Sequence, residues 1–188
     1  MCKIKYHEAI SSLNYCAVTT HPDISFLVSL LAQFMENPGR IHSKAVKWVF
    51  QYLLGTENWR LTYGTTEEGL ESYTDTDGSL QEHCHVISKY AFLVNEGAIS
   101  WSSRKQSLIT LFTAKSEYIA ATYATKEALW LWQIVDEIFQ AFEKPVTLYS
   151  DSQSTIALMK DGSYHAWMKH INIRYHFIHF KVQNNCCC

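Results

Sequence analysis

Four carboxylates in three short segments carry the residue types that could do chemistry. Asp75 and Asp77 lie in Tyr73-Thr74-Asp75-Thr76-Asp77-Gly78-Ser79. Glu117 lies in Ser116-Glu117-Tyr118-Ile119-Ala120-Ala121, and Asp151 in Leu148-Tyr149-Ser150-Asp151-Ser152-Gln153-Ser154. The first segment closes a strand-like run, the second sits inside a long helical pattern, and the third ends a β-rich run just before a helix. A carboxylate from a strand, one from a helix and one from a second strand end are what a phosphodiester-hydrolysing site needs. Such a site must bring an anionic nucleophile to an anionic phosphate, and two divalent cations about 4 Å apart solve that problem. Hard cations such as Mg²⁺ or Mn²⁺ take oxygen ligands, so clustered Asp and Glu are the expected material. Taken singly, each residue has a simpler account. Asp75 and Asp77 could start a turn, Glu117 could be solvated, and Asp151 before Ser-Gln-Ser could cap the next helix. It is the ordered set that points to a metal site.

The elements that must position these residues follow from periodicity. Residues 6–54 read as helical. Pro22 falls in a first helical turn, and Phe26, Leu27, Leu30, Leu31 and Phe34 lie on one face until Asn37-Pro38-Gly39 stops the run. A second helix has Ala45, Trp48, Val49, Tyr52 and Leu53 on one side and ends at Gly55. Short strands are then expected at 60–63, 69–74, 89–94 and 98–102, the last two joined by an Asn95-Glu96-Gly97 turn. The period turns helical over 113–139, with Tyr118, Ala121, Ala128, Leu129, Trp132 and Val135 as core positions. A strand at 146–150, a short helix at 152–160 and a helical run at 170–182 complete the pattern. The turn at 64–68 is the expected boundary between a helical part (1–64) and a strand-rich domain (69–185).

With 188 residues, 47% hydrophobic and 14% aromatic, the chain can build a packed core, so disorder is a poor description. Net charge is −2, so any nucleic-acid contact must come from a local patch and not from a global basic field. No stretch approaches the ~20 apolar residues of a membrane span, and the N-terminal Met1-Cys2-Lys3-Ile4-Lys5 has no signal-peptide core behind it. The expectation is a non-secreted chain without membrane association. The scattered Cys2, Cys16 and Cys84 and the terminal Cys186, Cys187 and Cys188 make no disulfide framework.

Other features are weighed against plainer accounts. His83-Cys84-His85 lacks a second ligand pair at finger-like spacing, so a polar loop is the better reading. His170, His176 and His179 read as a helix face. Trp130, Trp132, Phe139 and Phe142 could stack on bases, but at helical spacing they read as core. Arg40, Lys44 and Lys47 suit a nucleic-acid backbone or a solvated face equally.

Several stretches resemble the polyproteins of copia-type retrotransposons. Ile99-Ser100-Trp101-Ser102-Ser103-Arg104-Lys105-Gln106 is similar to their ISWSSKKQ segment, Ser116-Glu117-Tyr118-Ile119-Ala120 to EAEYIA, and Ser150-Asp151-Ser152-Gln153-Ser154 to DNQSA. The run Lys169-His170-Ile171-Asn172-Ile173-Arg174-Tyr175-His176-Phe177 is close to KHIDIRYHF. Upstream, Pro22-Asp23-Ile24 and Arg60-Leu61-Thr62-Tyr63-Gly64 resemble the end of the reverse-transcriptase region. The resemblance spans nearly the whole chain, with its motifs in family order.

It implies an α/β fold of the ribonuclease H type: a mixed sheet with flanking helices, whose first three strands are antiparallel and whose fourth lies beside the first. A helical N-terminal arm, the end of the reverse-transcriptase or connection region, would precede it. It implies hydrolysis of the RNA strand of RNA–DNA hybrids with Mg²⁺ or Mn²⁺, with Asp75, Glu117 and Asp151 as catalytic, metal-holding residues and Asp75 bridging two cations. Ser102, Ser103, Arg104, Lys105 and Gln106 would contact the hybrid, the element's reverse transcriptase would be a partner, and the setting would be a cytoplasmic virus-like particle or the nucleus.

Departures from the family accompany the match. Asp77-Gly78-Ser79-Leu80 stands for Asp-Trp-Ala-Gly, Glu82 to Ser88 lacks the usual basic run, Lys115 replaces an acid, Asn172 an aspartate, and Trp167-Met168 an Arg-Thr pair. The family's fourth acidic residue, with a last strand and helix, is not reached before Cys188. The alternative expectation is therefore a catalytically inactive, truncated remnant that at most binds nucleic acid or element proteins.

Overall fold

A change of hydrophobic period divides the chain, and the computed structural model divides with it. Residues 5–64, 70–77, 86–106, 113–139 and 146–160 are described. They fall into two compact units that divide between Thr62 and Tyr63, with Ser102–Arg104 grouped with the first.

The first unit is helical. Helix α1 (Tyr6–Thr19) is followed by a short 3₁₀ turn (Pro22–Ile24), α2 (Ser25–Ala32) and α3 (Arg40–Gly55). Pro22 opens the turn, where its missing N–H has no partner to lose. Ile10, Leu13, Ile24, Val28, Val46 and Val49 form the core, and the Tyr6 hydroxyl donates to the Leu31 carbonyl at 2.7 Å. The buried stripe of α2 differs from the expected one. Ile24, Val28 and Leu31 point inward at i, i+4 and i+7, whereas Leu27 and Phe34 are exposed. In α3, Val46 and Val49 are buried and Trp48 is exposed. Both helices carry more apolar residues than one contact face can hold, so apolar count alone places the stripe wrongly. The excess, including Leu27, Trp48 and Tyr52, lines an open groove of this unit. Lys44 lies over the Trp48 ring, 5.1 Å from its centroid.

The second unit is mixed α/β. Strands β1 (Glu71–Asp77), β2 (Ile87–Val94), β3 (Gly97–Lys105) and β4 (Thr147–Ser150) form one sheet in the order β3-β2-β1-β4, with helices α4 (Thr113–Phe139) and α5 (Gln153–Lys160). β1 pairs antiparallel with β2 and parallel with β4. The parallel pair needs a crossover, which contains α4. Alternation sorts β1: Ser72 and Thr74 are buried, while Tyr73 and Asp75 are exposed. Phe92 of β2 and Leu70 pack with Ala124, Ala128 and Leu131 of α4, and with Val146. The opposite face carries Tyr73 stacked on Tyr149, with ring centroids 5.1 Å apart. Buried Thr122 and Thr125 return their hydroxyls to the carbonyls of Tyr118 and Ala121, so neither leaves an unpaired polar group inside.

The β2–β3 connection is the two residues Asn95 and Glu96, with φ 50° and 65°, as a type I′ hairpin requires. Gly97 is needed for another reason: a Cβ there would collide with the Tyr63 ring. This contact explains a further difference. Residues 60–63 were expected as a strand but are not one. Tyr63 instead lays its ring on Gly97 and donates its hydroxyl to the Ala98 carbonyl, and the Gly64 N–H donates to Asn95 O. Trp132 packs in the core as expected, but Trp130 is exposed. The expectations for His83, Cys84 and His85, for Phe142 and for 170–182 lie outside the described residues.

Candidate metal centre

β1 carries Asp75 past the last paired position of β4, Thr74↔Ser150, so Asp151 follows the end of the neighbouring strand. Glu117 approaches from the first turns of α4. One carboxylate oxygen from each of Asp75, Glu117 and Asp151 lies within 4.8 Å of the others. Three carboxylates far apart in sequence thus converge through one strand, one strand end and one helix.

The simpler accounts of these residues do not hold in the structure. Asp75 lies inside β1 and not in a turn. Asp151 does not cap α5, because Ser152 does: its Oγ accepts the Thr155 N–H at 3.3 Å and donates to Thr155 Oγ1. The Asp151 side chain is thereby left to the cluster. Glu117 is only half-exposed; its Oε1 accepts the Thr76 hydroxyl at 2.5 Å, and its Oε2 is buried with no hydrogen-bond partner.

A buried carboxylate oxygen without a partner is costly unless something answers its charge. The donor set, all anionic oxygen, is what a hard divalent cation takes, so the residues present fit Mg²⁺ or Mn²⁺. Burial, the largest influence, raises the Glu117 pKa above its ordinary 4.5; the Thr76 hydrogen bond opposes this, and the charges of Asp151 and Asp75 add to it. Below the ordinary carboxylate range, folded and unfolded chains both hold the proton. As pH rises, the unfolded chain releases it first, so without divalent cation the folded form loses stability as pH climbs through the raised Glu117 value. Glu117→Gln is expected to flatten that loss in urea unfolding measured from pH 4 to 8, and a slope equal to wild type would refute it.

Sequence reading missed the groups around the trio. Thr76 orients Glu117, and alternation from Thr74 was the available signal. Lys89 stands opposite Asp75 in the register and pairs with Asp75 and Asp77 at 3.8 and 3.4 Å, a placement set by strand pairing and not legible locally. Gln106 was expected to contact nucleic acid. It is buried, and its Nε2 donates to Ser88 Oγ and to the Ser116 carbonyl at 2.8 and 2.9 Å. It ties β2 to the start of α4 beside Glu117 and is removed from the contact surface. Ser102, Ser103 and Lys105 are half-buried in β3, and Arg104 is exposed. Asp75, Asp151, Lys89, Tyr73 and Tyr149 line an open cleft of about 430 Å³.

No family model matches the chain. It is 41% identical over 186 residues to the retrovirus-related Pol polyprotein from transposon TNT 1-94 of Nicotiana tabacum, covering 98% of this chain and 14% of that protein. It is 33% identical over 183 residues to the retrovirus-related Pol polyprotein from transposon RE1 of Arabidopsis thaliana, covering 96% of this chain and 12% of that protein. A third relative is the secreted RxLR effector protein 161 of Plasmopara viticola, 35% identical over 136 residues, covering 70% of this chain and 94% of that protein. The chain thus spans 12–14% of the length of the two Pol polyproteins. Among the described residues no helix is long and apolar enough to cross a membrane. Over nearly its whole length, the chain is thus homologous to a stretch of the retrovirus-related Pol polyproteins of copia-type transposons.

Proposed function

We propose that the strand-rich unit is a ribonuclease H-like domain that hydrolyses the RNA strand of RNA–DNA hybrids. The observation that carries this reading is the convergence of Asp75, Glu117 and Asp151 within 4.8 Å. The sheet order β3-β2-β1-β4, with its parallel β1–β4 pair, supports it by setting the first carboxylate on one strand and the last just past the end of its neighbour.

Asp75, Glu117 and Asp151 would hold Mg²⁺ or Mn²⁺. When bound, such a cation neutralises phosphate charge and lowers the pKa of water. Thr76 fixes the Glu117 carboxylate, and Gln106 fixes the helix turn that presents it. Ser102, Ser103, Arg104 and Lys105 are proposed to meet the hybrid's phosphates, where Arg and Lys supply salt-sensitive affinity. In the same reading, residues 1–64 are the helical end of the reverse-transcriptase or connection region and 69–185 the nuclease. The partner is the element's reverse transcriptase, in a cytoplasmic virus-like particle or the nucleus.

The test is incubation of the purified chain with an end-labelled RNA–DNA hybrid, with and without Mg²⁺ or Mn²⁺. Cleavage of the RNA strand that requires the cation is the expected result. A folded sample that leaves the hybrid intact with either cation would make this chain an inactive member of its family.

A further inference from the structure

The helical unit leaves an apolar groove open between α2 and α3, about 520 Å³ in volume. Ile24, Leu31 and Val49 are buried and form its floor, whereas Trp48 is 58% exposed and Leu27 46%. Ala45, Trp48, Val49 and Tyr52 recur at i, i+3, i+4 and i+7, so α3 lays one continuous stripe along the groove. An exposed apolar surface with an indole at its middle has the composition of a protein–protein contact and not of a solvated helix face.

The two ends of the groove differ in charge. Lys44 stands at one end, its Nζ over the Trp48 ring. Asp23 stands at the other, where its Oδ2 accepts the Tyr52 hydroxyl at 2.7 Å. Lys44 lies just over two turns before Tyr52 on α3, a rise of roughly 12 Å. Among the described residues neither Lys44 nor Asp23 has an ion-pair partner. A foreign partner would have to bring an acid to Lys44, a base to Asp23 and an apolar surface between them. A second copy of this chain brings all three. A two-fold axis lying in the contact and across the groove sets each Lys44 against Asp23 of the other copy and the two Trp48 rings together at the middle. Copies laid parallel would oppose like charges at both ends, so the charges select the antiparallel arrangement.

We infer that this groove is a self-complementary interface through which two copies of the chain associate antiparallel. One face of two helices is at the small end of specific contacts, so a Kd on the order of 10 μM is expected. Sedimentation velocity of the full chain, without nucleic acid and over concentrations either side of that value, reads the association. Trp48→Ala removes an exposed ring and is expected to weaken the dimer at least about tenfold with unchanged circular dichroism. Asp23→Lys and Lys44→Asp each oppose like charges at both ends, and each alone should be monomeric. Mixed in equal amounts they restore both opposite-charge pairs and should dimerise with one another, a rescue that also shows both variants folded. Wild type that stays monomeric well above the expected Kd overturns the inference. So does a dimer that Trp48→Ala leaves intact, because it forms elsewhere. Charge variants that keep the wild-type circular dichroism yet stay monomeric when mixed overturn the antiparallel pairing, and Trp48→Ala decides alone if either misfolds.

Discussion

Asp75→Asn is expected to lower divalent-cation-dependent cleavage of an RNA–DNA hybrid by at least on the order of 10²-fold. Substitutions one shell away from a metal commonly cost 10- to 100-fold, and Asp75 is itself one of the three convergent carboxylates. Asparagine keeps the shape but removes the negative charge and presents an amide that can donate toward the cation, which a cation repels. The fold should survive, because Asp75 is exposed and its contact with Lys89 is a long ion pair at the surface, worth about 0–1 kcal/mol. The expected signature is lost cleavage with a melting temperature within a few degrees of wild type. Cleavage retained within about threefold of wild type would move the chemistry away from the trio.

Phe92→Ala is expected to destabilise the strand-rich unit by about 3–5 kcal/mol, the usual cost of emptying a buried aromatic site. Phe92 is fully buried, at the centre of the cluster that joins β2 to α4 through Leu70, Ala124, Ala128, Leu131 and Val146. Tyr90 meets its ring edge-on at 5.5 Å, and such pairs add about 0.5–1.5 kcal/mol beyond area. Most domains hold only 5–15 kcal/mol in reserve, so the variant is expected to unfold at a markedly lower urea midpoint. Phe92→Leu, close to volume-conserving, should cost less than about 1.5 kcal/mol. A loss below about 1 kcal/mol for the alanine variant would mean that β2 and α4 are not held together through this cluster. Because α4 carries Glu117, the same loss should loosen the carboxylate cluster, and activity should fall before global unfolding.

Much of this arrangement was legible in the sequence because several local signals agreed. The long helical period over 113–139 is the observed extent of α4, and Tyr118, Ala121 and Ala128 are buried as the period requires. Asn95-Glu96-Gly97 was readable as a turn because Asn and Gly are turn formers, although Glu96 takes one of the two left-handed positions. The three carboxylates were legible as a set because each ended or entered a distinct element. The misreadings share a cause: local pattern gives an element's type but not its neighbour. Residues 60–63 have strand composition, yet the ring of Tyr63 on Gly97 takes the chain elsewhere. Gln106 sat in a polar, basic run that looked exposed, and only the approach of Ser88 and the Ser116 carbonyl draws it inside. Lys89 drew no functional reading at all, because nothing local places it opposite Asp75. Leu27 and Trp48 were apolar residues on amphipathic helices whose neighbours cover a different stripe.

Whether Asp75, Glu117 and Asp151 converge to hold a divalent cation is read most directly by thermal unfolding at neutral pH with and without Mg²⁺ or Mn²⁺. A cation that binds only the folded chain stabilises it by mass action, worth about 2.7 kcal/mol at a hundredfold excess over Kd, or about 5 °C or more for a chain of this size. Wild type should show that rise, and Asp75→Asn should show none. An equal rise in both chains, or in neither, would contradict a cation centre at these three carboxylates.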